Sequence, residues 1–325
     1  MNSVTVIVPV YNEAEGLRRF YDRVRAIEAS LTDCLFSWIF VNDGSSDASL
    51  DVIRELADQD HAVKYISFSR NFGKEAAIYA GLVHSRADLT ILMDADLQHP
   101  PELIPEMIRR VSSGEADACG AKRRSSFMSR AFTKVINAMS TVKLESGATD
   151  YMCMNRKFVD AVLSLGESQR FSKGLFAWVG FKVKWLDYEQ GPRETGRSKW
   201  NVRKLILYAM DGLTGFSVVP LRVVSGAGAI LCILAIIYIL GVLIRTLIRG
   251  IDVPGYVTTL VAVLFLGGII LLSVGVLGDY LGRIFMESKK RPIYITDVTN
   301  IDDSEVDTAC KTQGKETEKV AQISD

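Results

Sequence analysis

The stretch Thr90-Ile91-Leu92-Met93-Asp94-Ala95-Asp96-Leu97-Gln98 is a short β-branched and aliphatic run that stops at two aspartates. Such a run reads as a buried strand, and the acids mark the point where the chain leaves the sheet. The pattern recurs upstream. Residues 4–9 lead into Tyr11-Asn12-Glu13, and residues 36–41 lead into Asn42-Asp43-Gly44-Ser45-Ser46-Asp47. Residues 63–68 lead into Ser69-Arg70-Asn71-Phe72-Gly73-Lys74-Glu75. Helical patterns fill the intervals at 15–31, 49–60 and 73–85. Strands alternating with helices predict an α/β fold with a mainly parallel sheet covered on both faces. In such sheets the ligand lies beyond the carboxyl ends of the strands, where all four polar clusters fall.

Over 325 residues, 38 basic side chains balance 38 acidic ones and 48% of the chain is hydrophobic, which excludes a disordered chain and a nucleic-acid binder. The apolar residues are segregated. Residues 223–244 and 256–278 are runs of 22 and 23 residues without a charge. About 20 apolar residues span a ~30 Å hydrocarbon core. One such run would also suit a buried helix; two, joined by a turn at Asp252-Val253-Pro254-Gly255, predict a transmembrane hairpin. Arg197, Lys199, Arg203, Lys204 and Arg222 precede the first run, and Arg283, Lys289, Lys290 and Arg291 follow the second. That excess over Arg245 and Arg249 of the connector places both termini in the cytoplasm. The expected organisation is a cytoplasmic catalytic domain at 1–200, juxtamembrane interfacial helices at 201–222, the hairpin at 223–284 and a disordered polar tail at 285–325. Residues 127–142 form a further amphipathic stretch, suited to a membrane surface or to the domain core. The five cysteines are scattered with no CxxC pair, as in a reducing cytosol.

Each cluster carries a chemical expectation. Residues two apart on an extended chain project to one side, so Asp94, Asp96 and Gln98 can present oxygens to one Mg²⁺ or Mn²⁺. Turn-forming aspartates give the same spacing without a metal, and His99 is either an extra ligand or a turn residue. Asp43 can accept from a base or ribose, while Ser46 and Asp47 suit a helix cap. Tyr11 can stack near a base. Glu13 can accept from a ribose hydroxyl or sit as a helix N-terminal acid. Gly73 allows close backbone approach and Lys74 can meet phosphate. Arg193, Arg197 and Lys199 surround Gly196 in a basic loop that suits two phosphates or an anionic membrane face.

Together the stretches 8–13, 40–47, 69–75, 93–98, 170–181 and 193–200 resemble the family two glycosyltransferases of the GT-A fold. The pattern is most similar to the membrane-anchored polyprenyl-phosphate branch, which includes bactoprenol glucosyltransferases and, more distantly, dolichyl-phosphate mannose synthase. The resemblance covers residues 4–290. It implies a nucleotide-sugar donor held by Pro9, Tyr11, Glu13, Asp43, Asn71, Gly73, Lys74 and Asp94. It implies Mg²⁺ or Mn²⁺ at Asp94, Asp96 and Gln98, and a lipid phosphate at Arg124, Arg130, Arg193, Arg197, Ser198 and Lys199. Catalytic roles fall to Asp94, Asp96, Asp150, Arg193 and Lys199. Where the family reads Gly-Asp-Phe-Arg-Leu, this chain reads Thr149-Asp150-Tyr151-Met152-Cys153: the acid is kept and the arginine is replaced. A homo-oligomer, a tetramer, is also implied.

The expected reaction moves one sugar, with inversion, from UDP-glucose to undecaprenyl or another polyprenyl phosphate for cell-envelope glycosylation. The QxxRW motif of processive synthases is absent. UDP-N-acetylhexosamine as donor, a protein or polysaccharide acceptor, and an inactive nucleotide-binding adaptor are the alternatives. A phosphate monoester has a second pKa of ~6 and is largely dianionic at neutral pH, so it can attack without a strong general base.

Overall fold

A computed structural model describes residues 1–124, 142–167, 170–189 and 255–302, with single positions at 133–137 and 221–248. The chain divides into two compact units. One holds the described residues up to 189 and from 291 onward; the other holds those from 221 to 290.

The first unit is built in chain order from β1 (Asn2–Val10), α1 (Ala14–Glu28), β2 (Cys34–Asn42), α2 (Ser49–Gln59), β3 (Val63–Phe68), α3 (Lys74–His84) and β4 (Leu89–Leu92). It continues with α4 (Ile104–Ser112), β5 (Ala118–Arg123), β6 (Ala148–Asn155), α5 (Arg156–Leu163), α6 (Ser172–Trp178) and β7 (Val183–Tyr188). A last strand, β8 (Thr296–Thr299), returns to the same unit. The eight strands form one sheet in the order β7-β5-β6-β4-β1-β2-β3-β8.

β1 pairs in parallel with both β2 and β4, and β2 pairs in parallel with β3. The expected parallel sheet is therefore its centre. At the margins the sheet is mixed: β6 runs antiparallel to β4 and β5, and β8 runs antiparallel to β3. After β1 the chain winds outward through β2 and β3, then crosses back to place β4 on the other side of β1. That reversal opens a crevice at the carboxyl ends of β1 and β4, the usual ligand site of such sheets.

The central strands are apolar throughout because helices cover both faces. Val4, Val6 and Val8 face one side with Leu17 and Phe20 of α1, Trp38, Phe40 and Ile53. Ile7, Ile39 and Val41 face the other with Ala77 and Ile78 of α3 and Phe158 of α5. α3 sits so close that a Cβ on its Gly81 would come within 2.2 Å of the Ile7 side chain.

The tail corrects one expectation. Its polar composition predicts disorder from residue 285, yet Thr296–Thr299 forms β8 on the edge of β3. Asn300 clamps β3, accepting from the Tyr65 amide at 2.7 Å and donating to the Val63 carbonyl at 3.1 Å. Tyr294 stacks on Phe68 at 4.8 Å, and Ile301 is buried. An edge strand is held chiefly by backbone hydrogen bonds and needs little apolar content, so composition does not reveal it.

In the second unit the helix α7 (Tyr256–Ser288) runs for 33 residues. It contains the uncharged run 256–278 but continues past it, since Asp279 does not break a helix. Its stretch Phe265–Ser288 is long and apolar enough to cross a membrane. Apolar side chains such as Ile270, Leu271 and Val274 are exposed along it. The described positions between 221 and 248 are also helical. The interfacial segment 201–220 and the connector at 251–254 lie outside the described residues.

Candidate active site

Four loops meet at the carboxyl ends of β1, β2, β3 and β4. The first two brace each other. The Asn12 amide donates to Ser45 Oγ at 3.0 Å, and Asn12 Oδ1 accepts from the Ser46 amide at 2.8 Å. Asn12 needs φ of 56° for this, a left-handed conformation that asparagine tolerates. Asp47 joins two helix starts: one oxygen accepts from the Ala14 amide at 3.2 Å, the other from the Ser49 amide at 3.0 Å. Burial raises its carboxyl pKa, but these amides and the Ser49 hydroxyl outweigh that and lower it overall. Glu13 precedes α1 as the expected helix-start acid, its amide bonded to Ser49 Oγ at 2.9 Å. Pro9 is half-buried in β1, and Tyr11 is exposed at the mouth of the cleft.

The Asp43 carboxylate is 3% exposed. One oxygen accepts from the amides of Phe72 at 2.7 Å and Gly73 at 3.1 Å; the other accepts from Gly73 at 3.0 Å and from Asn71 Nδ2 at 2.9 Å. Burial pushes its carboxyl pKa up, against the pull of the two amides. Its two oxygens brace the loop after β3 and so shape the cleft. Gly44 makes the approach possible. It has φ of +60°, and a Cβ there would lie 2.3 Å from the Arg70 carbonyl carbon.

The loop delivers Lys74 to the site at the start of α3. Its Nζ lies 2.7 and 2.8 Å from the two oxygens of Asp94 and 2.7 Å from Asp150 Oδ2. Asp150 stands on β6, antiparallel to β4, which is how a residue far along the chain reaches the aspartates. Burial alone would raise the Asp150 carboxyl; the charges of Lys74 and Lys173 overcome this and hold it at about 2. For Lys74 the desolvation that favours the neutral amine is likewise outweighed, by Asp150 and Asp94, and its pKa rises.

Along 94–99, Asp94, Asp96 and Gln98 are half-exposed while Ala95, Leu97 and His99 are buried. All three oxygen-bearing side chains are thus partly open to solvent. The segment is a turn beyond β4, not an extended strand. Asp96 Oδ1 accepts from the Gln98 amide at 3.1 Å, and Leu97 sits between them at φ of 56°. A positive φ at a bulky residue is strained and clusters at functional sites. His99 turns inward, stacked on Tyr151 at 5.3 Å, with its Nδ1 buried and without a hydrogen-bond partner among the described residues. Burial lowers its pKa despite the nearby acids.

Among the described residues no cluster of three or more His, Cys, Asp or Glu side chains forms a metal cage. The fit is to a cation shared with a substrate. Asp94 receives the Lys74 ammonium on both oxygens, and Asp96 is half-exposed two residues on; both are hard oxygen ligands of the kind Mg²⁺ and Mn²⁺ take together with phosphate. Arg124 is exposed after β5. Arg130, Arg193, Arg197, Ser198 and Lys199 lie outside the described residues.

Sequence reasoning missed Glu75. Its carboxylate accepts from the amide of Ser172 at 2.8 Å and from the Ser172 hydroxyl. The motif 170–174 was legible; its partner was not.

The description "Glycosyl transferase family 2" matches residues 5–163, a span that contains every loop just described through Asp150. A putative glycosyltransferase of Bacillus subtilis (strain 168), CsbB, is 42% identical over 304 residues, covering 92% of each chain. The chain belongs to glycosyl transferase family 2. It is a glycosyltransferase. Within this family the bactoprenol glucosyl transferase of Shigella phage SfV is 40% identical, over 90% of this chain and 97% of that one. The prophage bactoprenol glucosyl transferase homolog of Escherichia coli (strain K12) matches equally, at 40% identity over the same shares. A second family, "GtrB C-terminal hairpin", matches residues 219–284, which include most of α7.

Proposed function

We propose that this family two glycosyltransferase moves one glucose from UDP-glucose to a polyprenyl phosphate at a membrane, with inversion at the anomeric carbon. The observation that carries the reading is the match to bactoprenol glucosyl transferases along 90% of the chain, apolar helical segment included. The site chemistry supports it. Lys74 bridges Asp94 and Asp150, and Asp96 stands two residues beyond Asp94, so the site offers carboxylates that would hold a metal ion against a diphosphate.

In this reading Tyr11 and the cross-braced loops at 11–13 and 42–47 frame the nucleoside, and the 71–73 loop, held by Asp43, lines the space for its phosphates. Asp94 and Asp96, with Gln98, would hold Mg²⁺ or Mn²⁺, which when bound supplies positive charge to the departing diphosphate. Lys74 fixes Asp94 relative to Asp150, and so sets the donor side of the cleft against the side where acceptor and sugar lie. A dianionic lipid phosphate then needs only to be held in line. α7 and the helical segment before it would anchor the unit as a hairpin, with the catalytic domain and both termini cytoplasmic.

The test uses membranes containing the full chain, radiolabelled UDP-glucose, undecaprenyl phosphate and Mn²⁺. Label should enter the lipid extract, vanish with EDTA and return with excess Mn²⁺. GDP-mannose and UDP-N-acetylglucosamine run in parallel name the donor. No labelled lipid from any donor would refute the proposal.

A further inference from the structure

The ammonium of Lys74 has three hydrogens, and its partners are the two oxygens of Asp94 and one of Asp150. It is fully committed to carboxylates. A phosphate entering this acidic cleft therefore needs a different cation. The segment 170–174 supplies one. Lys173 is half-buried there, close enough to Asp150 for its charge to act on that carboxylate. No salt bridge among the described residues engages Lys173.

Its position is built, not incidental. Glu75 directly follows Lys74 on α3, and its clasp on the amide and hydroxyl of Ser172 brings the adjacent pairs 74–75 and 172–173 side by side. Ser172 is 3% exposed, so this contact is shielded from water. On the other flank the Arg170 guanidinium donates to the carbonyls of Leu165 at 2.9 Å and Val162 at 3.0 Å. It also lies over the Tyr79 ring of α3 at 4.5 Å. The residues on both sides of Phe171 are thus tied down to α3.

We propose that Lys173 binds a phosphate group of a substrate in the cleft beside Asp150, and that Glu75 is a positioning residue that places it through Ser172. The proposal rests on the glycosyl-transfer reading. The phosphate belongs either to the acceptor monoester or to the donor diphosphate, and the experiment separates them. Calorimetric titration of the detergent-solubilised full chain with UDP, and separately with a short-chain polyprenyl phosphate, is compared for wild type, Lys173→Gln and Lys173→Arg.

The loss of one charge-assisted hydrogen bond should weaken one of the two ligands about tenfold in Lys173→Gln, with Lys173→Arg close to wild type. Weakened polyprenyl phosphate assigns the acceptor, and weakened UDP assigns the donor. Unchanged binding of both overturns the proposal, as does equal weakening of both, which reports general damage. Glu75→Ala should weaken the same ligand as Lys173→Gln, with Glu75→Gln intermediate; a loss of thermal stability alone would refute the positioning role. If Glu75→Ala does not fold, the two Lys173 variants still decide. Binding is read without turnover, so wild type that binds both ligands but transfers no glucose refutes the functional reading and leaves this one standing.

Discussion

Replacing Asp43 by asparagine tests whether this acid holds the donor loop or contacts the donor. Its two oxygens take hydrogen bonds from the Phe72 amide at 2.7 Å, the Gly73 amide at 3.0 and 3.1 Å, and Asn71 Nδ2 at 2.9 Å. Asparagine keeps one acceptor and turns an NH₂ toward groups that are themselves donors. Hydrogen bonds to a charged group contribute about 1.5–3 kcal/mol each, so two should be lost or inverted. Burial, which already raises the Asp43 carboxyl pKa, means that removing the charge recovers part of the loss. The net cost to loop order is about 2–4 kcal/mol, equivalent to about 30- to 1,000-fold in an opening equilibrium. Hydrogen–deuterium exchange of a peptide covering residues 69–75 measures that opening directly. Asp43→Asn should accelerate exchange at Phe72 and Gly73 by this factor and raise the donor KM in step. Unchanged exchange with a raised donor KM would mean that Asp43 touches the nucleotide after all, and would refute the structural reading.

Gly44→Ala should open the same loop from the other side. Its Cβ would press on the Arg70 carbonyl carbon and Asn71 nitrogen at 2.3 and 2.6 Å with φ at +60°, at a cost of about 3 kcal/mol. The check is faster exchange at 69–75 together with a lower thermal midpoint. Glu28 predicts a pH-dependent gain. It is 5% exposed, and burial raises its pKa to about 7 despite Arg25 at 2.9 Å. A raised folded pKa means the native state binds the proton more tightly, so its stabilising effect is full below about 4.5 and is lost as pH rises through about 7. Glu28→Gln should therefore leave the thermal midpoint nearly unchanged at pH 5 and raise it at pH 8, by on the order of 1–3 kcal/mol of stability. An equal effect at both values would contradict the assignment. Asn300→Ala removes the clamp on Tyr65 and Val63, and should cost about 1–2 kcal/mol, with exchange at the Tyr65 amide rising; protection equal to wild type would show that β8 does not hold the edge of β3.

Much of this protein is local and was legible as such. Apolar runs broken by polar clusters gave β1 to β4 and their intervening helices, because central strands covered on both faces must be apolar from end to end. The acids Asp94 and Asp96 just beyond β4 were legible as the polar end of an apolar run, and the uncharged runs at 223–244 and 256–278 are long enough for an apolar helix to cross a membrane. Other features could not be read this way. Asp43 looks from its sequence like a ligand-facing acid at a strand end; only packing of the loop after β3 over Gly44 shows that its oxygens also brace that loop. Glu75 and Ser172 are 97 residues apart, and nothing local marks them as partners. β8 is too polar for composition to find, since its bonds are mostly backbone.

The sequence by itself determined the four central strands β1 to β4, where each polar cluster stands on its strand, and which segments are apolar enough to leave water. Only the tertiary structure decided which clusters share charge. Lys74 reaches Asp94 across 20 residues and Asp150 across 76. That meeting depends on β4 crossing to the far side of β1 and on β6 pairing antiparallel beside it. Strand order is set by long-range burial of two apolar faces at once, a property of the whole sheet that no single segment encodes.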